Sequence, residues 1–117
     1  MDLEISAAEL KQLLNSETLT TTNSSQQPSF VLLDVREPWE YEAARIAGSM
    51  LMPMGDVPSR AFQELDPEVR IVALCHHGVR SLNVAVWLRN QGFENAQSMR
   101  GGIDAWSREI DPAVPRY

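Results

Sequence analysis

The single cysteine of this chain, Cys75, is followed at once by its only two histidines, His76 and His77. The run reads Ile71-Val-Ala-Leu-Cys-His-His-Gly-Val-Arg-Ser81. A short apolar strand delivers one thiol into a glycine-containing loop, and a helical pattern starts directly afterwards. A nucleophile so placed faces backbone N–H groups and the positive end of a helix, surroundings that hold an anion. The ionised thiol is the nucleophilic form. Gly78 supplies a backbone conformation that other residues resist. Arg80 adds a permanent positive charge beside the pocket, and Ser81 opens the helix. Cys75 and Arg80 are thus the candidate catalytic residues, and His76, His77, Gly78, Val79 and Ser81 complete the candidate active-site loop. The same cradle suits a thiolate, a persulfide or a tetrahedral oxyanion. A buried structural cysteine is the competing reading; the polar and charged neighbours argue against it.

Other side chains can be weighed in the same way. The two histidines serve as acid–base groups, orient a substrate, or simply face water. A metal centre built on Cys75, His76 and His77 is not expected, because adjacent residues rarely converge on one ion and no further Cys or His completes a shell. Asp34 ends an apolar run and is a candidate supporting residue: a partner for a nearby arginine, where a pair with Arg80 would fix the loop's basic side chain, a helix cap, or a solvated strand end. Arg36 has Glu37 or Glu40 as alternative surface partners, contributing little. Met50, Met52, Met54 and Met99 read as core and turn packing or as a soft pocket mouth. Trp39 and Trp106 read as core.

The elements that must position these groups follow from patterning. Ser6 and Glu9 form a capping box, with Ile5 and Leu10 as its hydrophobic staple. The helix they open buries Leu10, Leu13 and Leu14. Residues 18–29 are polar and without period, which predicts a flexible loop insertion. Phe30 to Val35 reads as a strand buried on both faces. Glu37 to Ala44 follows as a short helix with Pro38 in its first turn. Ile46 to Met52 is a weaker strand, and Gly55 to Leu65 an irregular helical segment. Val69 to Leu74 is the strand that reaches Cys75. A helix over Arg80 to Gln91 ends at Gly92-Phe93, a C-terminal glycine with its trailing hydrophobe. Ala96 to Met99 is a short strand, and Gly101 to Glu109 a last helix. Strands alternate with helices, so the expected fold is α/β, a central parallel sheet with helices on both faces. In such sheets ligands bind beyond the C-terminal ends of the strands, where Cys75 and Asp34 both fall.

Bulk properties bound the rest. At 117 residues the chain is expected to be one domain, 1–117. Its net charge of −6 argues against nucleic acid and anionic membranes as partners. One cysteine excludes an internal disulfide and fits a reducing compartment. No apolar run approaches membrane length. The opening Met1-Asp-Leu-Glu-Ile lacks the basic and apolar regions of a signal peptide. The expectation is a cytoplasmic monomer. Nine arginines stand against one lysine, Lys11; arginine's fixed fork of donors suits oxyanions.

Four stretches together resemble the rhodanese-like domain family: Leu33-Asp-Val-Arg-Glu37, Tyr41 through Pro53, Cys75-His-His-Gly-Val-Arg-Ser81, and Gly101-Gly-Ile-Asp-Ala-Trp106. With their spacing they cover nearly the whole chain from Ile5, and the set in this order is very specific. The resemblance implies sulfurtransferase chemistry through a persulfide on Cys75. The implied donor is thiosulfate or another sulfane-sulfur carrier, and the implied acceptor a thiophilic nucleophile such as cyanide, a thiol or a protein. It calls for no cofactor. The chain departs from the family at Ala44-Arg45-Ile46, where members often carry Gly-His-Ile. The loop and the Asp-Pro-x-Val-Pro-x-Tyr stretch resemble rhodanese domains fused to ubiquitin-like-activating enzymes, which implies a sulfur-carrier protein as a further candidate partner. A phosphatase or arsenate-reductase branch of the same fold has one more residue between cysteine and arginine, widening the cradle for phosphate-sized groups. The four-residue spacing here resembles the sulfur-transferring branch. A non-catalytic binding module and a redox-sensing thiol are the remaining alternatives.

Overall fold

Five strands, all parallel, make one sheet in the order β1-β5-β4-β2-β3 in the computed structural model, which describes residues 1–16 and 30–117. The strands are β1 (Glu4–Ile5), β2 (Phe30–Asp34), β3 (Met50–Leu51), β4 (Arg70–Leu74) and β5 (Ala96–Met99). The helices are α1 (Ala7–Ser16), α2 (Pro38–Ala43), α3 (Val57–Glu64), α4 (Val79–Asn90) and α5 (Gly102–Glu109), with a 3₁₀ turn at Met54–Asp56 ahead of α3. The α/β reading is thus correct. The polar 18–29 segment lies outside the described residues.

Strand alternation sorts the core into two layers. Val31, Leu33 and Val35 join Ile71, Ala73 and Cys75 on the face covered by Val57 and Ala61 of α3 and by Val84 and Leu88 of α4. Phe30, Leu32, Val72 and Leu74 point the other way, against Leu10 of α1 and Ile103 and Trp106 of α5. The two-residue period of β4 therefore continues into Cys75 and sends its sulfur toward α4. β2 and β4 run in register from Phe30↔Arg70 to Asp34↔Leu74, and the Val35 N–H bonds the Leu74 carbonyl at 2.9 Å. The two chain ends that carry Asp34 and Cys75 thus leave the sheet side by side.

Local chemistry accounts for most element ends. The capping box is formed as expected: the Ser6 N–H donates to Glu9 Oε1 and the Glu9 N–H to Ser6 Oγ, at 3.0 and 3.1 Å. At the end of α4, the Gly92 N–H reaches the Arg89 carbonyl and the Phe93 N–H the Leu88 carbonyl. Gly92 has φ 99° and Phe93 is buried, the glycine-terminated end read from the sequence. Most element ends shift by a residue, and three readings change for a local reason. β3 is limited to Met50–Leu51, because Ile46 to Ser49 forms a turn around Gly48 at φ 86°. The irregular segment resolves into the 3₁₀ turn and α3. The helix α4 starts at Val79 rather than Arg80, because left-handed Gly78 already supplies its N-cap. The tryptophans divide: Trp106 is core at 4% exposure, but Trp39 is 64% exposed, contrary to expectation. It sits on the outward side of a six-residue helix whose inward residue is Glu40.

Candidate active site

Cys75 follows the last residue of β4, and its sulfur is buried. Among the described residues, two polar groups reach it. The Gly78 N–H donates to Sγ at 3.0 Å, and Ser81 Oγ lies 3.3 Å away. Ser81 Oγ in turn lies 2.7 Å from Ser98 Oγ on β5 and 3.3 Å from the Gly78 carbonyl, which accepts its bond. A buried hydroxyl that reaches both a sulfur and a second hydroxyl can donate to the sulfur when it carries charge. The first-turn N–H groups of α4 have no partners within the helix, so its positive end faces the same place.

The loop keeps this shape because α5 holds it from below. The Ile103 N–H donates to the Cys75 carbonyl at 2.8 Å and the Asp104 N–H to the His76 carbonyl at 3.1 Å. Both carbonyls are thereby tied to α5. Gly102, at φ 62°, is what permits this approach, since a Cβ there would run into the Cys75 and His76 carbonyl oxygens. Gly78 also packs against Gly101, less tightly: a Cβ there would lie 3.1 Å from the Gly101 nitrogen. The Gly101-Gly-Ile stretch is therefore part of the loop's support.

Asp34 does not meet Arg80. It is wholly buried and binds Arg36, whose Nε and Nη2 donate to its two oxygens at 2.9 and 2.7 Å. Arg36 is wholly buried as well, so the surface pairing expected for it is also wrong. Its other donors reach the carbonyls of Ala44 (2.6 Å) and Glu40 (3.2 Å) and the Tyr117 hydroxyl (2.9 Å). All five guanidinium N–H groups thus have acceptors. The pair pins the carboxyl end of α2 to the end of β2.

The partner of Arg80 is Glu40. Arg80 Nη1 and Nη2 donate to Glu40 Oε1 and Oε2 at 2.6 and 2.9 Å, a two-point ion pair. The Glu40 carboxylate also accepts from the Glu37 N–H at 3.0 Å and from the Tyr117 hydroxyl at 2.7 Å. The Arg80 bonds hold the Glu40 carboxyl down at about 2, against the burial that opposes its charge. Glu40 in return raises Arg80, and the nearby Cys75 sulfur adds to the effect. Glu40 was named from the sequence only as a surface partner for Arg36. The signal that marks it is the Glu37-x-x-Glu40 spacing at the start of α2, a capping arrangement that folds the second carboxylate back toward the strand ends.

Above the loop, the His76 ring stacks on the His77 ring and on the Tyr117 ring, with centroids 4.0 Å apart in each case. Burial and then the proximity of His77 lower the His76 pKa, so His76 is neutral at pH 7. Burial, aided by the bond it donates to Glu40, pushes the Tyr117 phenol up to about 12, so the phenol keeps its proton. His77 and Val79 are exposed. Of the methionines, Met52 and Met99 are core, while Met54 is 39% exposed and lines an apolar groove with Val57, Pro58, Val84 and Trp87. Among the described residues no group of His, Cys, Asp and Glu is placed to hold a metal ion, and no helix is long and apolar enough to cross a membrane.

A thiol at the end of a central parallel strand, beside a helix N-terminus and a loop arginine, defines an α/β domain with a cysteine loop at the carboxyl edge of its sheet. The rhodanese-like domain model matches residues 6–109, and the chain belongs to that family. It is 33% identical to a putative sulfurtransferase of Bacillus subtilis over 93% of this chain and 94% of the relative. It is 39% identical to the chloroplastic rhodanese-like/PpiC domain-containing protein 12 of Arabidopsis thaliana over 79% of this chain, but spans only 33% of that longer protein. A rhodanese-related protein from Thermoplasma volcanium superposes with a TM-score of 0.77 at 27% identity, covering 99% of this chain and 100% of the other.

Proposed function

We propose that this protein is a sulfurtransferase that moves a sulfane sulfur from a small donor to a thiophilic acceptor through a persulfide on Cys75. The observation that carries the reading is the Cys75 sulfur itself, met by the Gly78 N–H at 3.0 Å and by the Ser81 hydroxyl at 3.3 Å at the foot of α4. In the first half-reaction the Cys75 thiolate attacks the outer sulfur of the donor. A new S–S bond forms to Cys75, the donor's own bond to that sulfur breaks, and its electron pair leaves with the donor remnant. In the second, the acceptor takes the outer sulfur and Cys75 regains its thiolate. The Gly78 N–H, the Ser81 hydroxyl and the α4 terminus stabilise the anionic sulfur at each stage. Arg80 is the candidate catalytic arginine at the rim. The acceptor is a thiol, cyanide or a protein, with a sulfur-carrier protein among the candidates. His76, neutral and stacked, fits a wall of the acceptor's approach better than a cationic anchor.

Intact-protein mass spectrometry tests this. Incubation with thiosulfate, a thiosulfonate or mercaptopyruvate is expected to add one sulfur, which cyanide removes as thiocyanate. Cys75→Ser is expected to fold normally and gain none. If no donor adds sulfur to the wild-type protein, the reading is wrong.

A further inference from the structure

Glu40 gives the site a charge property that the loop alone does not. The Arg80 side chain is 32% exposed at the rim of the pocket, where an anionic donor would meet it, but its guanidinium is joined at two points to a carboxylate that is 5% exposed. The Glu37 N–H and the Tyr117 hydroxyl hold that carboxylate from two further directions, so the pair cannot easily part. Three further arginines are similarly engaged. Arg36 is bonded to Asp34, and Arg108 and Arg116 both to Asp104 at 2.9 Å. Tyr117 and His76 beside the loop are neutral at pH 7. The Gly78 N–H and the Ser81 hydroxyl reach the Cys75 sulfur, with the end of α4 behind them. That set suits the single negative charge on a transferring sulfur, and Arg80, already paired with Glu40, adds no net charge for a second.

We propose that Glu40 sets the charge class of the donor, favouring sulfane-sulfur donors with one negative charge at the reacting end, thiosulfonates and persulfides, over dianionic thiosulfate. The inference rests on the proposed Cys75 persulfide chemistry and specifies its donor. Two donors make the comparison clean. Thiosulfate and methanethiosulfonate both give up their outer sulfur to the Cys75 thiolate. The first releases sulfite, which carries away both of its charges. The second releases methanesulfinate, which carries one. They differ by one unit of charge in a similar volume. A fixed carboxylate bonded to the arginine of the loop repels the dianion about twice as strongly as the monoanion at the same position. Removing its charge at an unchanged position is therefore expected to help thiosulfate about tenfold more than methanethiosulfonate.

The experiment measures kcat/KM for each donor with cyanide as acceptor, since this ratio reports the first half-reaction. It compares the wild-type chain with Glu40→Gln, which keeps the shape and one acceptor oxygen, and with Tyr117→Phe, which removes a bond to Glu40 but no charge. The expected result is a rise of about tenfold in the thiosulfate-to-thiosulfonate ratio for Glu40→Gln and none for Tyr117→Phe. Higher salt is expected to narrow the difference between wild type and Glu40→Gln. The proposal is overturned if the ratio stays the same in Glu40→Gln, even when both rates fall, because Glu40 would then only position Arg80. It is also overturned if Tyr117→Phe shifts the ratio equally. A failure of both donors with the wild-type chain counts instead against the persulfide chemistry itself.

Discussion

At the scale of single residues, the chemistry gathers around Cys75 and the charge around Glu40. The Glu40 carboxyl sits at about 2 in the folded protein against an ordinary 4.5. A lowered carboxyl contributes stability that is present above 4.5 and disappears as pH falls from 4.5 toward 2. His76, lowered from 6.5, acts in a separate and higher window, its contribution fading as pH falls below 6.5. Urea midpoints taken from pH 5 down to pH 2.5 are therefore expected to drop more steeply for the wild-type protein than for Glu40→Gln. Equal slopes would mean that Glu40 is not held in its charged form by Arg80. The sequence revealed the candidate nucleophile and its loop because those residues are contiguous and chemically distinctive. It did not reveal the pairing of the charged groups. Asp34, Arg36, Glu40 and Arg80 are two acids and two bases with several possible matches. The choice depends on which side chains turn inward at the turn between β2 and α2. Arginine's usual exposure made Arg36 look like a surface residue, yet buried carbonyls and a phenol take up every donor that Asp34 leaves.

At the scale of elements, the amino end of α5 does for the loop what the amino end of α4 does for the sulfur. Gly102 lies where a side chain would collide with the Cys75 and His76 carbonyls, at a φ that favours glycine. Gly102→Ala is expected to cost about 2–4 kcal/mol from backbone strain and displaced loop contacts, and to lower sulfur transfer along with it. Gly55 has open space around it, so Gly55→Ala is expected to stay within about 0.5 kcal/mol of wild type. Urea denaturation of the pair, with thiocyanate formation alongside, checks both. Near-equal effects of the two substitutions would remove α5 from the loop's support. Period and capping made α1, α4 and α5 legible to within a residue or so. β3 was overread, because the apolar run Ile46 to Met52 contains a glycine turn whose position only the packing decides. Trp39 was misplaced for a related reason. In the short helix α2 aromatic and acidic residues alternate, and composition does not say which side faces the sheet.

At the scale of the whole molecule, the two core layers share β2 and β4, whose side chains alternate between them. Neither layer can loosen without exposing the backs of the same strands. Leu10 lies wholly buried in one layer and Leu88 in the other. Truncating either to Ala is expected to destabilise the protein by about 2–5 kcal/mol. In each case, circular dichroism in the far and near ultraviolet is expected to give one coincident transition. Separate transitions in either variant would show that the layers unfold independently. The parallel order, with Cys75 at a strand end, was legible from the alternation of strands and helices. The division of labour between the layers was not, since Cys75 joins one layer only through the phase of β4.

The unequal burial of Arg80 and Glu40 also gives mutation a preferred order. Replacing Arg80 first strands a carboxylate that is 5% exposed, held by a phenol and an amide and with no cation opposite. Replacing Glu40 first leaves an arginine that is 32% exposed and can turn toward water. The two positions lie forty residues apart, yet drift at one constrains drift at the other, and in one direction more than the other. A lineage that exchanges this ion pair for something else has its easier route through position 40.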